Sequence, residues 1–409
     1  SARTCVTGYL CRLLLLTCGG TAPHPVPRPP TMCTAIDTAW PPASGQMDAL
    51  VLQSPYHIEV QRCPVPRIAA GTDAIVRVEL AGLCGSDLHP FRGKEATDGG
   101  TIMGHEFVGT VVEVGPAVTT LTPGTRVMSP FTTSCGVCAP CASGLTCRCD
   151  AGQLFGWRLN GQGLHGAQAQ FIRVPLAAST LVRIPPGVGD EAALLAGDIL
   201  STGYFCARNA GLARAAPGVV VAVVGCGPVG LLAATAAGRF PAVRAVLAID
   251  SVPGRLALAG RLGATPVNSA ECDPIVAVRE ATGGQGADVV LEVVGAGPAL
   301  GLALDLLKPG GVVSSVGCHT DPGFPFTPAD LYNKNATLAS GRCPARSCLE
   351  ELLPALAKGE LGESTAIITH RLPLLDGVRA YEAFEQRLEG WVKVVFDPWT
   401  GGKPASESV

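Results

Sequence analysis

The stretch VVVAVVGCGPVG, Val219 to Gly230, constrains this chain more than any other. A fully apolar run ends at Gly225, and a helical run, PVGLLAATAAGRF, starts almost at once at Pro228. An apolar run without polar alternation suits a strand covered on both faces, as strands of a parallel sheet are. RAVLAID reads as a second such strand and SVPGRLALAGRLGA as a second helix. ADVVLEVVG and GGVVSSVG read as further buried strands. Strands alternating with helices in this way specify an α/β fold with a doubly wound parallel sheet.

Gly225, Gly227 and Gly230 form a G-x-G-x-x-G turn between that first strand and its helix. Such glycines make a tight turn and let the backbone approach a pyrophosphate. The helix N-terminus adds free N–H groups and positive partial charge. Pro228 and Val229 in the same turn, and Val294 after a later strand, are further candidate coenzyme contacts. Asp250 ends the second strand, twenty residues beyond Gly230. An acidic residue there accepts hydrogen bonds from the adenosine ribose hydroxyls. Its charge repels a 2′-phosphate, so NAD is expected over NADP. Arg255 either closes over the adenine ribose or is a plain surface residue. The turn could serve packing alone, but strand, helix and acidic residue agree on a dinucleotide.

A chain of 409 residues exceeds one ordinary core, so at least two domains are expected. From Met47 to about Val174 short β-rich runs alternate with Gly/Pro turns: AIVRVELAGLCG, FVGTVVEVG, TRVMSP and AQFIRVP. That pattern predicts a strand-rich, barrel-like domain. The chain divides into a strand-rich domain over 47–200, a dinucleotide-binding domain over 201–339 and a mixed C-terminal part over 340–409. Residues 1–46 hold a short apolar run, CRLLLLTCGG, and the proline-rich TAPHPVPRPP. The apolar run is shorter than the ~20 residues a membrane span needs. The segment is read as a disordered or non-native extension. A formal net charge of -3 without charge blocks recruits neither nucleic acid nor an anionic membrane.

Of 17 cysteines, five crowd into CGVCAPCASGLTCRC: Cys135, Cys138, Cys141, Cys147 and Cys149. Thiolates at this spacing wrap a tetrahedral zinc, and a four-thiolate site leaves no open position, so this one is expected to be structural. Spacing alone leaves the fourth ligand open between Cys147 and Cys149. A metal site of this kind points to a reduced, cytoplasmic setting rather than a disulfide scaffold. Two other fragments gather titratable groups among glycines. AGLCGSDLHPFRG carries Cys84, Ser86, Asp87 and His89, and TIMGHEFVGTV carries His105 and Glu106. Taken singly, a buried thiol and a satisfied core histidine explain them. Beside a nicotinamide site they fit a catalytic zinc with three protein ligands and one open position. Asp198, in the apolar run EAALLAGDILSTGYFCA, is a carboxylate that needs a partner or serves as a helix N-cap.

The fragments CGSDLH, GHEFVGTVVEVG, CGVCAPCASGLTCRC, STGY and VGCGPVG…AID together resemble the zinc-containing medium-chain alcohol dehydrogenases, from Met47 to about Pro398. The resemblance implies a GroES-like catalytic domain wrapped by both chain ends and a Rossmann coenzyme domain between them. It implies that Cys84 and His105 are the first two catalytic-zinc ligands, and that Ser86 and His89 begin and end a proton relay through the nicotinamide ribose. Asp87 would orient the zinc-bound histidine, and Glu106 would lie behind the zinc and approach it transiently. Cys135, Cys138, Cys141 and Cys149 would hold the structural zinc, leaving Cys147 an extra thiol. Phe131 would line the substrate pocket, and Lys393 would meet the coenzyme pyrophosphate. Many members carry cysteine as third catalytic ligand; here the aligned residue is Asp198, as in a subgroup similar to glutathione-independent formaldehyde dehydrogenases. The resemblance therefore implies NAD-linked interconversion of a small alcohol with its aldehyde or ketone, in a homodimer or homotetramer. The rivals are a polyol dehydrogenase of the same family, an NADP-linked reductase and a silent NAD(H)-binding member.

Overall fold

A computed structural model describes residues 40–42, 44–320, 323–361 and 364–400. Most of the N-terminal segment expected to be an extension lies outside them. The first half is strand-rich. It runs through β1 (Gln46–Ser54), β2 (His57–Pro64), β3 (Ala74–Leu83), the short helix α1 (Leu88–Phe91), β4 (Thr101–Ile102), β5 (Phe107–Val114) and β6 (Arg126–Ser129). After α2 (Ala139–Ala142) come β7 (Trp157–Leu159), β8 (Gln162–Leu164), β9 (Phe171–Val174), α3 (Ala177–Thr180) and β10 (Val182–Arg183). Two helices, α4 (Asp190–Gly197) and α5 (Ile199–Asn209), lead out of it.

The second half alternates as the apolar pattern requires. It runs β11 (Val219–Val224), α6 (Pro228–Ala237), β12 (Val243–Asp250), α7 (Pro253–Arg261), β13 (Thr265–Asn268), α8 (Pro274–Ala281), β14 (Ala287–Glu292), α9 (Gly297–Leu306), β15 (Leu307–Ser315), α10 (Pro328–Lys334) and β16 (Thr337–Ser340). These six strands form one parallel sheet in the order β13-β12-β11-β14-β15-β16. All six residues of β11 are buried. Val219, Val221 and Val223 pack into one apolar cluster and Val220, Ala222 and Val224 into another. Both faces of β11 are therefore covered, which is why its sequence shows no alternation. The strand order reverses beside β11, between β12 and β14. A crevice opens at such a switch point, outside the carboxyl ends of the strands.

The chain then returns through α11 (Ala345–Ala357), β17 (Ile368–Pro373), α12 (Gly377–Glu385) and β18 (Lys393–Asp397). β18 pairs antiparallel with β3, with Val394 opposite Leu83, and parallel with β17. The first and last parts of the chain so share the sheet β10-β6-β5-β3-β18-β17, with β9 also on β3. The expected boundary at 200/201 falls inside α5, which is continuous across it. One apolar cluster joins Val108 and Met128 of the catalytic half to Val221 and Leu231 of the parallel sheet through α4 and α5. The two halves thus share core residues at this joint, and Asp198 sits between the two bridging helices.

Candidate functional site

Three segments far apart in sequence bring their side chains together at that joint. Cys84 follows β3 and opens the short turn Gly85–Asp87. His105 and Glu106 immediately precede β5. Asp198 occupies the N-cap position of α5, but its side chain makes no capping bond. It turns inward instead, with Oδ2 at 3.6 Å from Cys84 Sγ and 3.2 Å from His105 Nε2. One ligand atom from each of Cys84, His105, Glu106 and Asp198 lies within 4.8 Å of the others, and all four residues are buried. Thr202, one turn along α5, donates its hydroxyl to Asp198 Oδ1 at 3.3 Å.

The donor set suits a zinc ion. Thiolate, imidazole and carboxylate are its usual protein ligands. Burial pushes the Cys84 thiol up to about 11, with the Asp198 charge adding to it. A dication supplies the charge that releases such a proton. Glu106 Oε1 is buried without a hydrogen-bond partner, an orphan that a cation would satisfy. Asp87 Oδ1 holds His105 Nδ1 at 3.0 Å, leaving Nε2 to face the cluster. Burial opposes an imidazolium at His105, but the Asp87 charge and the hydrogen bonds with Asp198, Asp87 and Cys84 together outweigh it and hold the pKa well above the ordinary histidine value.

Ser86 Oγ lies 3.3 Å from Cys84 Sγ and 3.2 Å from His105 Nε2. His89, on α1, is half-buried, and its Nδ1 has no partner. Burial lowers its pKa below the ordinary 6.5. The Phe131 ring stands edge-on to His105 at 6.5 Å between centroids and supplies an apolar wall.

Lys393 departs from its expected place. It is fully buried, ion-paired with Glu106, and donates to the Leu83 carbonyl at 3.1 Å. The β18–β3 register sets this position, because Lys393 precedes the residue opposite Leu83. A side chain held there behind the cluster is not placed to meet a coenzyme pyrophosphate. Gly82 makes room for its partner, since a Cβ at that position would lie 2.1 Å from Glu106 Oε2.

The sulfurs of Cys135, Cys138, Cys141 and Cys149 form a second cluster within 4.8 Å. Cys147 points elsewhere and donates to the Arg342 carbonyl at 3.2 Å. The N–H groups of Val137 and Cys138 donate to Cys135 Sγ at 3.5 and 3.4 Å, and that of Cys135 to Cys149 Sγ at 3.2 Å. The first two draw the Cys135 thiol down to about 6, in favour of the thiolate that binds metal.

At the switch point, Gly225 has φ +96°, a left-handed conformation that glycine adopts freely. A Cβ on Gly230 would meet the Gly225 carbonyl oxygen at 1.8 Å, whereas one on Gly227 would point into open space. That space lies at the N-terminus of α6, with Pro228 and Val229 in its first turn. Asp250 accepts from the N–H groups of Cys226, Ser251 and Val252 at 2.7–2.9 Å. Arg255 Nη1 lies 3.9 Å from it. Val294 is half exposed beside Gly225.

Two further groups escaped the sequence reading. Glu292 is fully buried and accepts from Val294 N–H, Gly295 N–H and Ser315 Oγ at 2.7–2.8 Å, with His319 Nε2 at 3.1 Å. Gln168 and Tyr381 are likewise fully buried. Neither group has a local spacing that a sequence could reveal.

Residues 70–186 match the family described as alcohol dehydrogenase GroES-like domain, and residues 228–358 match zinc-binding dehydrogenase. The zinc-type alcohol dehydrogenase B of Aspergillus flavus is 43% identical over 347 residues, 83% of this chain and 79% of that protein. The medium chain reductase/dehydrogenase ucsI of an Acremonium species is 51% identical over 292 residues, 70% of this chain and 98% of its own length. The solved structure of alcohol dehydrogenase TADH from Thermus sp. ATN1 superposes with TM-score 0.80 at 39% identity, covering 86% of this chain and 99% of that one. With a strand-rich half joined to a doubly wound parallel sheet, and thiol, imidazole and carboxylate side chains clustered at the joint, the chain belongs to the zinc-type medium-chain alcohol dehydrogenases.

Proposed function

We propose that this protein oxidises a small alcohol to its aldehyde or ketone, reversibly, with hydride transfer to NAD and with one catalytic and one structural zinc per chain. The observation that carries the reading is the convergence of Cys84, His105, Glu106 and Asp198 beside the Ser86 hydroxyl. Bound there, zinc supplies Lewis acidity toward an alcohol oxygen, and the nicotinamide supplies the hydride acceptor. The protein's own groups handle position and protons. Asp87 holds the His105 ring in one tautomer. The Ser86 Oγ accepts the alcohol O–H proton as its own proton moves on toward His89. Burial keeps His89 neutral near pH 7, so its ring can receive that proton and release it to water. Phe131 offers an apolar wall suited to a short carbon chain.

The Asp250 carboxylate, at the end of β12, favours NAD over its 2′-phosphorylated form. Asp198 in place of a thiolate is the feature shared with the formaldehyde dehydrogenase-like subgroup, and a carboxylate donates less electron density than sulfur. The test joins metal analysis to a panel of short alcohols, formaldehyde and polyols with NAD and NADP. Turnover of a short alcohol with NAD and two zincs per chain is expected. Asp198→Ala should hold one zinc and lose turnover. Two retained zincs and normal turnover in that variant would sink the ligand assignment.

A further inference from the structure

Behind the metal-ligand cluster runs a buried chain of polar side chains that takes no part in the proposed chemistry. Tyr381, on α12, and Gln168, just before β9, are both fully buried. The Tyr381 hydroxyl donates to Gln168 Oε1 at 2.8 Å. On its other side Gln168 Nε2 donates to the Gly82 carbonyl at 3.0 Å and reaches Asp87 Oδ2 at 3.4 Å. Asp87 Oδ2 also accepts from the Cys84 N–H at 2.9 Å, and Asp87 Oδ1 faces His105 Nδ1 at 3.0 Å. Only one residue, Asp87, stands between Gln168 and two candidate ligands.

A buried primary amide can lie either way round, and its neighbours decide which. Gln168 faces two acceptors on the ligand side, a carbonyl and a carboxylate, so its NH₂ group belongs there. Its oxygen then points away and needs a donor, which the Tyr381 hydroxyl provides. Without that hydroxyl the amide keeps an unsatisfied buried oxygen or swings round. Swung round, it presents an oxygen to the Asp87 carboxylate, and the two repel. The main chain at Gln168 does not yield, because its N–H and C=O are bonded to the Met103 carbonyl and the Leu50 N–H at 2.9 and 2.8 Å. The adjustment falls on the Gln168 amide and on Asp87.

We infer that Tyr381 and Gln168 are positioning residues for the catalytic metal. The phenol fixes the amide, the amide fixes Asp87, and Asp87 sets both the His105 ring and the Cys84 backbone. The inference rests on the proposed reading that Cys84, His105 and Asp198 hold zinc. It extends the metal site to α12, an element that contributes no ligand.

The test compares Tyr381→Phe, Gln168→Leu and the double variant with the wild type. Tyr381→Phe keeps the ring that packs against Phe91 at 5.3 Å, so only the hydroxyl is lost. Two quantities are read: the rate at which a chelator strips the catalytic zinc, and the visible spectrum of the cobalt(II)-substituted protein. Each single variant should lose catalytic zinc roughly ten-fold faster and show a shifted cobalt spectrum, with the structural metal retained. The double variant should be no worse than Gln168→Leu, since both act through one path. A wild-type stripping rate and cobalt spectrum in Tyr381→Phe would overturn the inference, even if Gln168→Leu failed to fold. A wild-type protein that holds no metal among Cys84, His105 and Asp198 would overturn both this inference and the zinc reading beneath it.

Discussion

Lys393 and Glu106 form a fully buried ion pair against Cys84, His105 and Asp198, and neither side chain reaches water. Removing one partner of such a pair leaves an uncompensated charge, which costs far more than the pair itself contributes. Lys393→Met should therefore destabilise the protein by about 3–5 kcal/mol, read as a shift in the urea unfolding midpoint. An unchanged midpoint would show that Glu106 finds its charge balance elsewhere. His89 offers a test of the proton path. Its pKa is lowered by burial from 6.5, so the ring is neutral at pH 7 and gains its proton only at lower pH. The rate kcat/KM should thus fall on the acid side, below pH 6.5, as His89 loses its capacity to accept. In His89→Gln that limb should vanish and the plateau should drop roughly 10²-fold. An intact acid limb would remove His89 from the relay. The sequence placed both residues near the chemistry by resemblance, yet only His89 lies in a local motif. The role of Lys393 depends on a partner 287 residues away.

The glycine turn between β11 and α6 shows how an element can be legible in full. Strand, turn and helix are contiguous, so their chemistry is written within a dozen residues. Gly230 has no room for a side chain against the Gly225 carbonyl. Gly230→Ala should weaken NADH binding at least ten-fold by fluorescence titration while leaving the metal content unchanged, because the turn lies on the coenzyme sheet and not among the ligands. Unaltered NADH affinity would separate this turn from the coenzyme. The cysteine lobe is only half legible. Its spacing announces a thiolate site but not the fourth ligand, because Cys147 and Cys149 are two residues apart. Local backbone geometry turns the Cys149 sulfur toward the other three and the Cys147 sulfur toward Arg342. Glu292 and His319 were not legible at all: a glutamate ending an apolar strand looks like a strand end until Ser315 and His319 fold over it.

At the scale of the molecule, β16 ends the parallel sheet and has no partner on its outer side among the described residues. An open edge of this kind is a template for pairing with another chain. Tyr332, on the helix just before it, is 81% exposed, and Phe324 is 70% exposed. A second copy of this chain adding its own strand along that edge would pair the unmet backbone groups of β16. Such pairing predicts about twice the chain mass in light scattering. A wild-type monomer at micromolar concentration would exclude this edge as a stable interface. No helix among the described residues is long and apolar enough to cross a membrane.

Sequence by itself determined whatever is local. The apolar strands, the glycine turn, the cysteine spacing and the fragments around Cys84 and His105 are short-range patterns, because hydrophobic period and turn chemistry act between near neighbours. Tertiary structure decided the pairings. Asp198 stands 93 residues from His105 and 114 from Cys84, and in the sequence a helix cap is a second reading of it. Lys393 became the partner of Glu106 through strand register, and Tyr381 came to face Gln168 through the return of the chain. A buried charge or amide is compensated by whatever lies nearest in space. Chain order does not encode that neighbour until the shared core brings the segments together.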